Sequence, residues 1–266
     1  MLSRIFTTPR ALGAAQAAIA AASAILLILL ARTRKIRLIK ETLVALLRGC
    51  LQVVAVGSVV LLLLEQPMWT AIIVLMTMIG AATTIGARRS KDIPGAFWVT
   101  LQGIALGAGS FIVVMTLIGV IEWEMSSLVP VGSMLIANAM NTVALSLDRF
   151  GSDVKAHVGE IEAALALGAE PKETVRPYVQ AATEAGLIPR LNSLRSLGIV
   201  WIPGLMAGMI LAGDDPVYAA IYQFVVIAMI FAASGLTTIV SMLLVRSRIF
   251  SPAMQLLLRS REGEQE

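Results

Sequence analysis

The sequence predicts an all-α protein that crosses a membrane about seven times. Hydrophobic residues make up 58% of the 266 positions, charged residues only 14%, and the mean hydropathy is +0.85. Soluble domains carry about 25% charged residues. The apolar residues also fall into long runs of about 20, the length that an α-helix needs to cross roughly 30 Å of hydrocarbon. Together these observations exclude an ordinary soluble domain.

Seven apolar runs are bounded by charged residues or by Pro and Gly turns, and we expect each to be a span. They cover residues 11–31, 42–64, 68–86, 96–121, 126–146, 197–213 and 216–245. The fourth and seventh are long enough to require a tilt or a kink. The first follows Arg4 and Arg10, as a signal peptide would, but it is too long for one and RTRK follows it at once. We therefore expect it to be retained, and residues 1–266 to form one transmembrane domain.

Lys and Arg are distributed unevenly between the two sides that these spans define. Loops 32–41, 87–95 and 147–196, together with the C-terminal tail, hold 18 of the 21 basic residues. The turns on the other side carry acidic residues, namely Glu65, Glu122, Glu124, Asp214 and Asp215. Because basic loops stay in the cytoplasm, the N-terminus is predicted outside and the C-terminus in the cytoplasm.

The longest polar stretch, residues 147–196, predicts a cytoplasmic helical hairpin between the fifth and sixth spans. Its first helix is indicated over 153–167 by apolar residues at spacings of three and four, and Gly168 is suited to end it. A second helix is expected to begin near Pro171 and to continue toward Gly186, with an interruption at Pro177.

The turn of this hairpin has the pattern E-A-A-x-x-x-G, which is typical of the coupling loops of ABC-importer permeases. Small alanine side chains allow a partner to approach closely, and glycine permits the turn. A surface hairpin with no partner is the alternative. Importer coupling loops also end in a Leu-Pro pair soon after the glycine, whereas the first comparable pair here is Ile188-Pro189. The residues expected to contact a partner ATPase are Glu162, Ala163, Ala164, Leu167, Gly168, Ala169 and Pro171.

Several strings along the chain resemble one family. They are IANAMN (136–141), LALGAEP (165–171), GLIPRLNSLRSLGIV (186–200), PGLMAGMILAGDDP (203–216) and AIYQ (220–223). In these strings the sequence resembles the FetB-type ABC permeases, which include a bacterial iron-export permease and plant permeases associated with aluminium tolerance. The likeness runs from about Arg48 to Phe250, and it departs from the family at Ala137, where glycine is usual.

The resemblance implies a homodimeric permease of the plasma (inner) membrane that pairs with a separate ABC ATPase subunit and exports iron or a metal-related solute. The chain itself has no G-x-x-x-x-G-K-[ST] motif, so we expect no enzymatic activity or cofactor here, and expect ATP and magnesium on the partner. Basic residues lie in short clusters between spans, so no nucleic-acid partner is expected. Cys50 and His157, the only residues of their types, are too few for a zinc or iron–sulfur site.

Polar residues within spans are candidates for a translocation path because they are costly in lipid. Interhelical hydrogen bonding is the alternative role for each of them. Asn138 and Asn141 share a helix face, with Met134 one turn earlier. The candidates are Gln52, Gln102, Ser133, Met134, Asn138, Asn141 and Gln223.

The thirteen methionines do not indicate an iron path, because thioethers suit Cu(I) whereas iron prefers carboxylate or imidazole ligands. If iron is moved, we expect it to pass either in chelated form or through a transient outer site near Glu65 and Asp214. A nucleotide-sugar is an alternative substrate. An ion-gradient-driven secondary transporter is an alternative class, which the absence of Asp, Glu or His deep in any span disfavours.

Overall fold

The computed structural model describes residues 8–33, 39–64 and 66–258. Within these ranges the chain is helical and contains no β-strand, only two isolated bridges, which confirms the all-α class. The α-helices are α1 (Pro9–Thr33), α2 (Ile39–Leu64), α3 (Trp69–Ala87), α4 (Ala96–Ile104), α5 (Ser110–Leu117), α6 (Met125–Ala156), α7 (Val158–Ala166), α8 (Pro171–Thr174), α9 (Arg176–Ser196), α10 (Gly204–Ala212) and α11 (Pro216–Arg248).

The chain divides into two compact units. The first, residues 1–66, contains α1 and α2, where the first two spans are predicted. The second, residues 67–266, contains the remaining helices and a core of buried apolar side chains. Leu147 and Phe150 of α6 are fully buried in this core. The long helix α6 therefore forms the centre of the second unit.

In the part of the chain that the structure describes, four helical segments are long and apolar enough to cross a membrane. They are Trp69–Ser90, Ala96–Leu117, Met125–Ala156 and Pro216–Arg248, and shorter apolar stretches occupy Ala11–Leu26 and Thr42–Ser58. The segments Trp69–Ser90 and Met125–Ala156 extend past the predicted spans 68–86 and 126–146, because helical residues continue into the polar flanks. These segments agree with the multi-pass membrane protein that the composition predicts.

The fourth predicted span is irregular at its middle. α4 passes into a π-helical turn at Ala105–Gly109 before α5 continues. Gly103 and Gly107 lie directly against Ser241 and Thr237 of α11, without room for a side chain. The irregularity in this long run is therefore a π-helical turn beside a close helix contact. By contrast, α11 is one uninterrupted helix.

The structure differs from the sequence prediction at the sixth span, residues 197–213. Only Gly204–Ala212 is helical there, a length of about 13 Å at 1.5 Å per residue, which is too short to cross the hydrocarbon alone. The preceding chain turns at Gly198, whose φ is +77°, and Pro203 is the N-cap of α10. The apolar run is continuous in composition, but a left-handed glycine and a proline interrupt the helix.

The second difference concerns residues 147–196, which the sequence places entirely in the cytoplasm. α9 does not end near Gly186 but continues through Pro189 to Ser196. Gly186 is buried against Ser146 and the carbonyl of Thr142, both on α6. Gly186 therefore provides a helix contact rather than a helix end. The second half of α9 lies beside the apolar part of α6.

Candidate functional site

The hairpin tip is formed by α7, a glycine turn and the short helix α8. Gly168 has a φ of +89°, and its N–H donates to the Leu165 carbonyl at 3.0 Å. The N–H of Ala169 donates to the Ala164 carbonyl at 3.0 Å. These bonds satisfy carbonyls that the end of α7 would otherwise leave open. The tip is thus a defined turn, at the glycine where the sequence predicts one.

The candidate coupling residues lie on the surface of this tip. Glu162, Ala163, Leu167, Gly168 and Ala169 are exposed, and Leu167 is 90% exposed. The other two, Ala164 and Pro171, are partly buried. A large apolar side chain at the end of a rigid turn is suited to insertion into a partner's groove.

The base of the hairpin is anchored to the rest of the second unit. Ile161 and Val175 are buried in the core. His157 stacks on Tyr178 with ring centroids 5.0 Å apart. Burial raises the pKa of the Tyr178 hydroxyl above its usual value, and the neighbouring Glu160 carboxylate raises it further. The tip is therefore held by packing rather than by a flexible connection.

A polar cavity of about 290 Å³ lies beyond the end of α3. Arg88, Arg89 and Lys91 line it together with Asp148. Lys155 of α6 forms an ion pair with Asp92 across this region. These basic residues belong to loops 87–95 and 147–196. Their Lys and Arg content is what predicts that this end of the spans faces the cytoplasm.

Asn138 is a predicted path residue that contacts a side chain of a distant helix. Its Nδ2 donates to the Met134 carbonyl at 2.7 Å, and its Oδ1 accepts a hydrogen bond from Nη1 of Arg190 on α9. The Nε of Arg190 is enclosed by protein and has no hydrogen-bond partner among the described residues. A guanidinium thus lies against a helix whose residues 125–147 carry no charge.

The other candidates take separate positions. Gln223 is buried, and its Oε1 accepts from the N–H of Met206 at 3.2 Å in the first turn of α10, where helices leave donors free. Ser133 donates to the Pro130 carbonyl at 2.7 Å within α6. Gln102 is exposed and accepts from Arg248 at 3.4 Å. For Gln223 this bond favours the role in interhelical hydrogen bonding, whereas the Ser133 bond lies within one helix and favours neither role.

Of the remaining candidates, two lie in the second unit and one lies in the first. Met134 is partly buried and Asn141 is exposed, and both lie on α6 with Asn138. Gln52 is exposed on α2, in the first unit.

The structure describes one of the two candidates for a metal contact. Glu65 lies outside the described residues, whereas Asp214 is exposed beside Asp215. The Asp215 carboxylate accepts from the Tyr218 N–H at 2.8 Å as the N-cap of α11. Among the described residues no group of three His, Cys, Asp or Glu side chains could hold a metal ion.

Arg190 is the residue that sequence reasoning missed. It was grouped with the basic residues of a cytoplasmic loop because charge alone does not show which helix it faces. The sequence does contain a signal that α9 packs against other helices. Gly186, Leu187 and Leu194 give its second half a face of small and apolar residues. Leu187 does reach the site of Gly235 on α11, and Leu194 packs against the core.

Among the described residues, α6 and three further membrane-length segments, with few and mostly uncharged polar groups between them, define a multi-pass helical membrane protein. Residues 14–250 match the uncharacterised protein family UPF0014, and the chain belongs to that family. No solved structure matches the chain.

The relatives include a protein named as a permease and others named as membrane proteins. The chain is 32% identical over 231 residues to the probable iron export permease protein FetB of Escherichia coli (strain K12), covering 86% of this chain and 89% of FetB. It is 28% identical over 234 residues to the protein ALUMINUM SENSITIVE 3 of Arabidopsis thaliana, covering 87% and 85% of the two chains. The membrane protein YjkA of Bacillus subtilis (strain 168) is 29% identical over 219 residues, covering 82% and 87%.

Proposed function

We propose that this chain is the permease subunit of an ABC transporter of the plasma (inner) membrane. Two copies would pair with a separate nucleotide-binding subunit that carries ATP and magnesium. The observation that carries the proposal is the hairpin tip, where an exposed Leu167 and a left-handed Gly168 stand on a firmly packed base. Such an element can transmit a rigid-body movement from an ATPase to the spans.

The proposed substrate is iron or a metal-related solute, and the proposed direction is export. Both rest on the name of the Escherichia coli relative. The proposed topology has seven spans, with the N-terminus outside and the C-terminus in the cytoplasm. Its sixth span is discontinuous and consists of the second half of α9, the turn at 197–203 and α10. Broken helices of this kind are tolerated in membranes where protein covers the break.

Replacing Gly168 with alanine is expected to weaken coupling to the ATPase. A side chain at a left-handed φ costs about 1–2 kcal/mol. If this cost weakens docking to the ATPase, the affinity falls by a factor of about 5 to 30. We expect the stimulation of a candidate nucleotide-binding subunit, reconstituted in lipid with this chain, to fall by that factor. Gly159→Ala is the matched control, because Gly159 also has open space around it but no positive φ. Equal stimulation by the two variants would contradict the coupling role.

The topology is tested by labelling single cysteines with a membrane-impermeant maleimide. In a Cys50→Ser background, Glu162→Cys is expected to react only from the cytoplasmic side and Asp214→Cys only from the outside. Both parent residues are exposed. The chain between them contains only α8, α9 and α10 beyond the hairpin turn. Labelling of both positions from one side would show that α9 and α10 do not cross the membrane together.

A further inference from the structure

Arg190 of α9 lies beside α6, near the middle of the segment of α6 that is proposed to span the membrane. Residues 125–147 of that helix carry no charged side chain, and Asn138, which contacts Arg190, lies close to the centre of this segment. Gly186, one turn earlier on α9, is buried against Ser146, so α9 runs along α6 in the opposite direction. Ionisable groups at such depth are rare and mark functional sites.

The chain holds this guanidinium in place without neutralising it. Asn138 uses its Nδ2 on the Met134 carbonyl, so its Oδ1 is the atom presented to Arg190. An amide oxygen accepts a hydrogen bond but carries no charge. The Nε of Arg190 remains without a hydrogen-bond partner among the residues that the structure describes. A guanidinium has five donors in a planar fork, so Asn138 satisfies only part of it.

No carboxylate of the second unit lies at this depth among the described residues. The sequence has no Asp or Glu in residues 66–91, 93–121, 125–147, 185–213 or 216–261. The nearest acidic residue along α6 is Asp148, ten positions and about 15 Å from Asn138. Along α9 it is Glu184, which is exposed and lies six positions, or about 9 Å, before Arg190. The described residues of the second unit therefore supply no counter-charge to Arg190 at this depth.

We propose that Arg190, oriented by Asn138, binds the transported solute and that this solute is an oxyanion, bearing carboxylate or phosphate groups. This inference rests on the proposed transport function and specifies that the transported solute is negatively charged. The planar fork of arginine matches two oxygens of either group. A bare iron ion would be repelled at this level, so iron would cross it only within an anionic complex.

The break in the sixth span lies close to the same site. The non-helical residues 197–203 begin seven positions after Arg190. In transporters, discontinuous helices commonly frame the substrate site near the middle of the bilayer. Here the first turn of α10 is completed by Gln223 of α11, so the break is built into the packing of two helices.

The binding test uses the full chain in nanodiscs of zwitterionic lipid, without an ATPase. Thermal unfolding is followed in the presence of citrate, pyrophosphate or ferrous chloride. At least one of the two oxyanions is expected to raise Tm, and which one does so identifies the recognised group. The apparent affinity should fall at least about tenfold in Arg190→Gln, as loss of a charge-assisted hydrogen bond predicts. Arg190→Lys should weaken binding less, because it keeps the charge but loses the fork.

Arg195→Gln is the matched control, because Arg195 lies on the same helix but is exposed. It should bind oxyanions as the unchanged protein does. Arg190→Gln should have an undiminished Tm without ligand, because it removes an uncompensated charge; if it does not fold, Arg190→Lys takes its place. The proposal is overturned if neither oxyanion binds, if ferrous chloride alone stabilises, or if the Arg190 and Arg195 variants respond alike. These results need no ATPase, so they are independent of a failure of coupling.

Discussion

Gly107→Ala is expected to prevent stable folding of the second unit. A methyl group at this position would overlap the backbone N and Cα of Thr237 on α11, and backbone atoms cannot rotate away as a side chain can. Overpacking a closely packed site costs about 1–3 kcal/mol, and more when helices must separate. We expect a loss of more than about 3 kcal/mol, a large share of the stability of a typical domain.

The measurement is denaturant unfolding in mixed micelles, together with the yield of monodisperse protein. Gly80→Ala is the matched control, because Gly80 lies inside α3 and an added methyl would meet no atom within 4 Å. Alanine also has the higher helix propensity, by about 1 kcal/mol. The control should therefore be as stable as the parent or slightly more stable. A Gly107→Ala protein with parental stability would show that α4 and α11 do not pack as described.

Gly186→Ala is expected to displace α9 from α6 and to destabilise the protein by about 1–3 kcal/mol. The new methyl group would overlap the Ser146 hydroxyl, and it would lie 3.1 Å from the Thr142 carbonyl oxygen and 3.3 Å from Ser146 Cβ. The contact between Arg190 and Asn138 depends on the same approach of the two helices, so oxyanion binding should weaken as well.

Ser146→Gly is the compensating change for this contact. Removing the Ser146 side chain clears the space that the new methyl group needs, and it deletes a buried hydroxyl that has no hydrogen-bond partner among the described residues. The double variant should therefore recover most of the stability lost by Gly186→Ala. Additive effects of the two changes in a double-mutant cycle would contradict direct contact between these positions.

The sequence predicts the regular membrane helices closely. The expected spans 68–86 and 216–245 correspond to α3 at Trp69–Ala87 and α11 at Pro216–Arg248. These boundaries depend on local features, such as a long apolar run and the Asp215-Pro216 start of α11, where the aspartate is the N-cap. The turn at Gly168 is equally local, because the left-handed φ it requires favours glycine.

The sequence prediction fails at the boundary between residues 147–196 and 197–213. The polar end of α9 and the apolar residues 197–213 were assigned to different compartments, although α9 continues to Ser196 beside α6. Hydropathy averages over a window and does not register that Gly186 fits against Ser146. It also does not register that Pro203 and Gly198 interrupt the later helix. Both features depend on a particular neighbour or on a particular backbone angle.

The sequence by itself determined the class of protein, its apolar helices and the glycine turn of the hairpin, because each follows from composition or from residues adjacent in the chain. Only the tertiary structure placed Arg190 against Asn138, 52 positions away. Likewise, only the tertiary structure shows that Gln223 of α11 accepts a hydrogen bond from the first turn of α10. The physical reason is that the cost of a buried charge, or the use of a buried amide, depends on which atoms of a distant helix surround it.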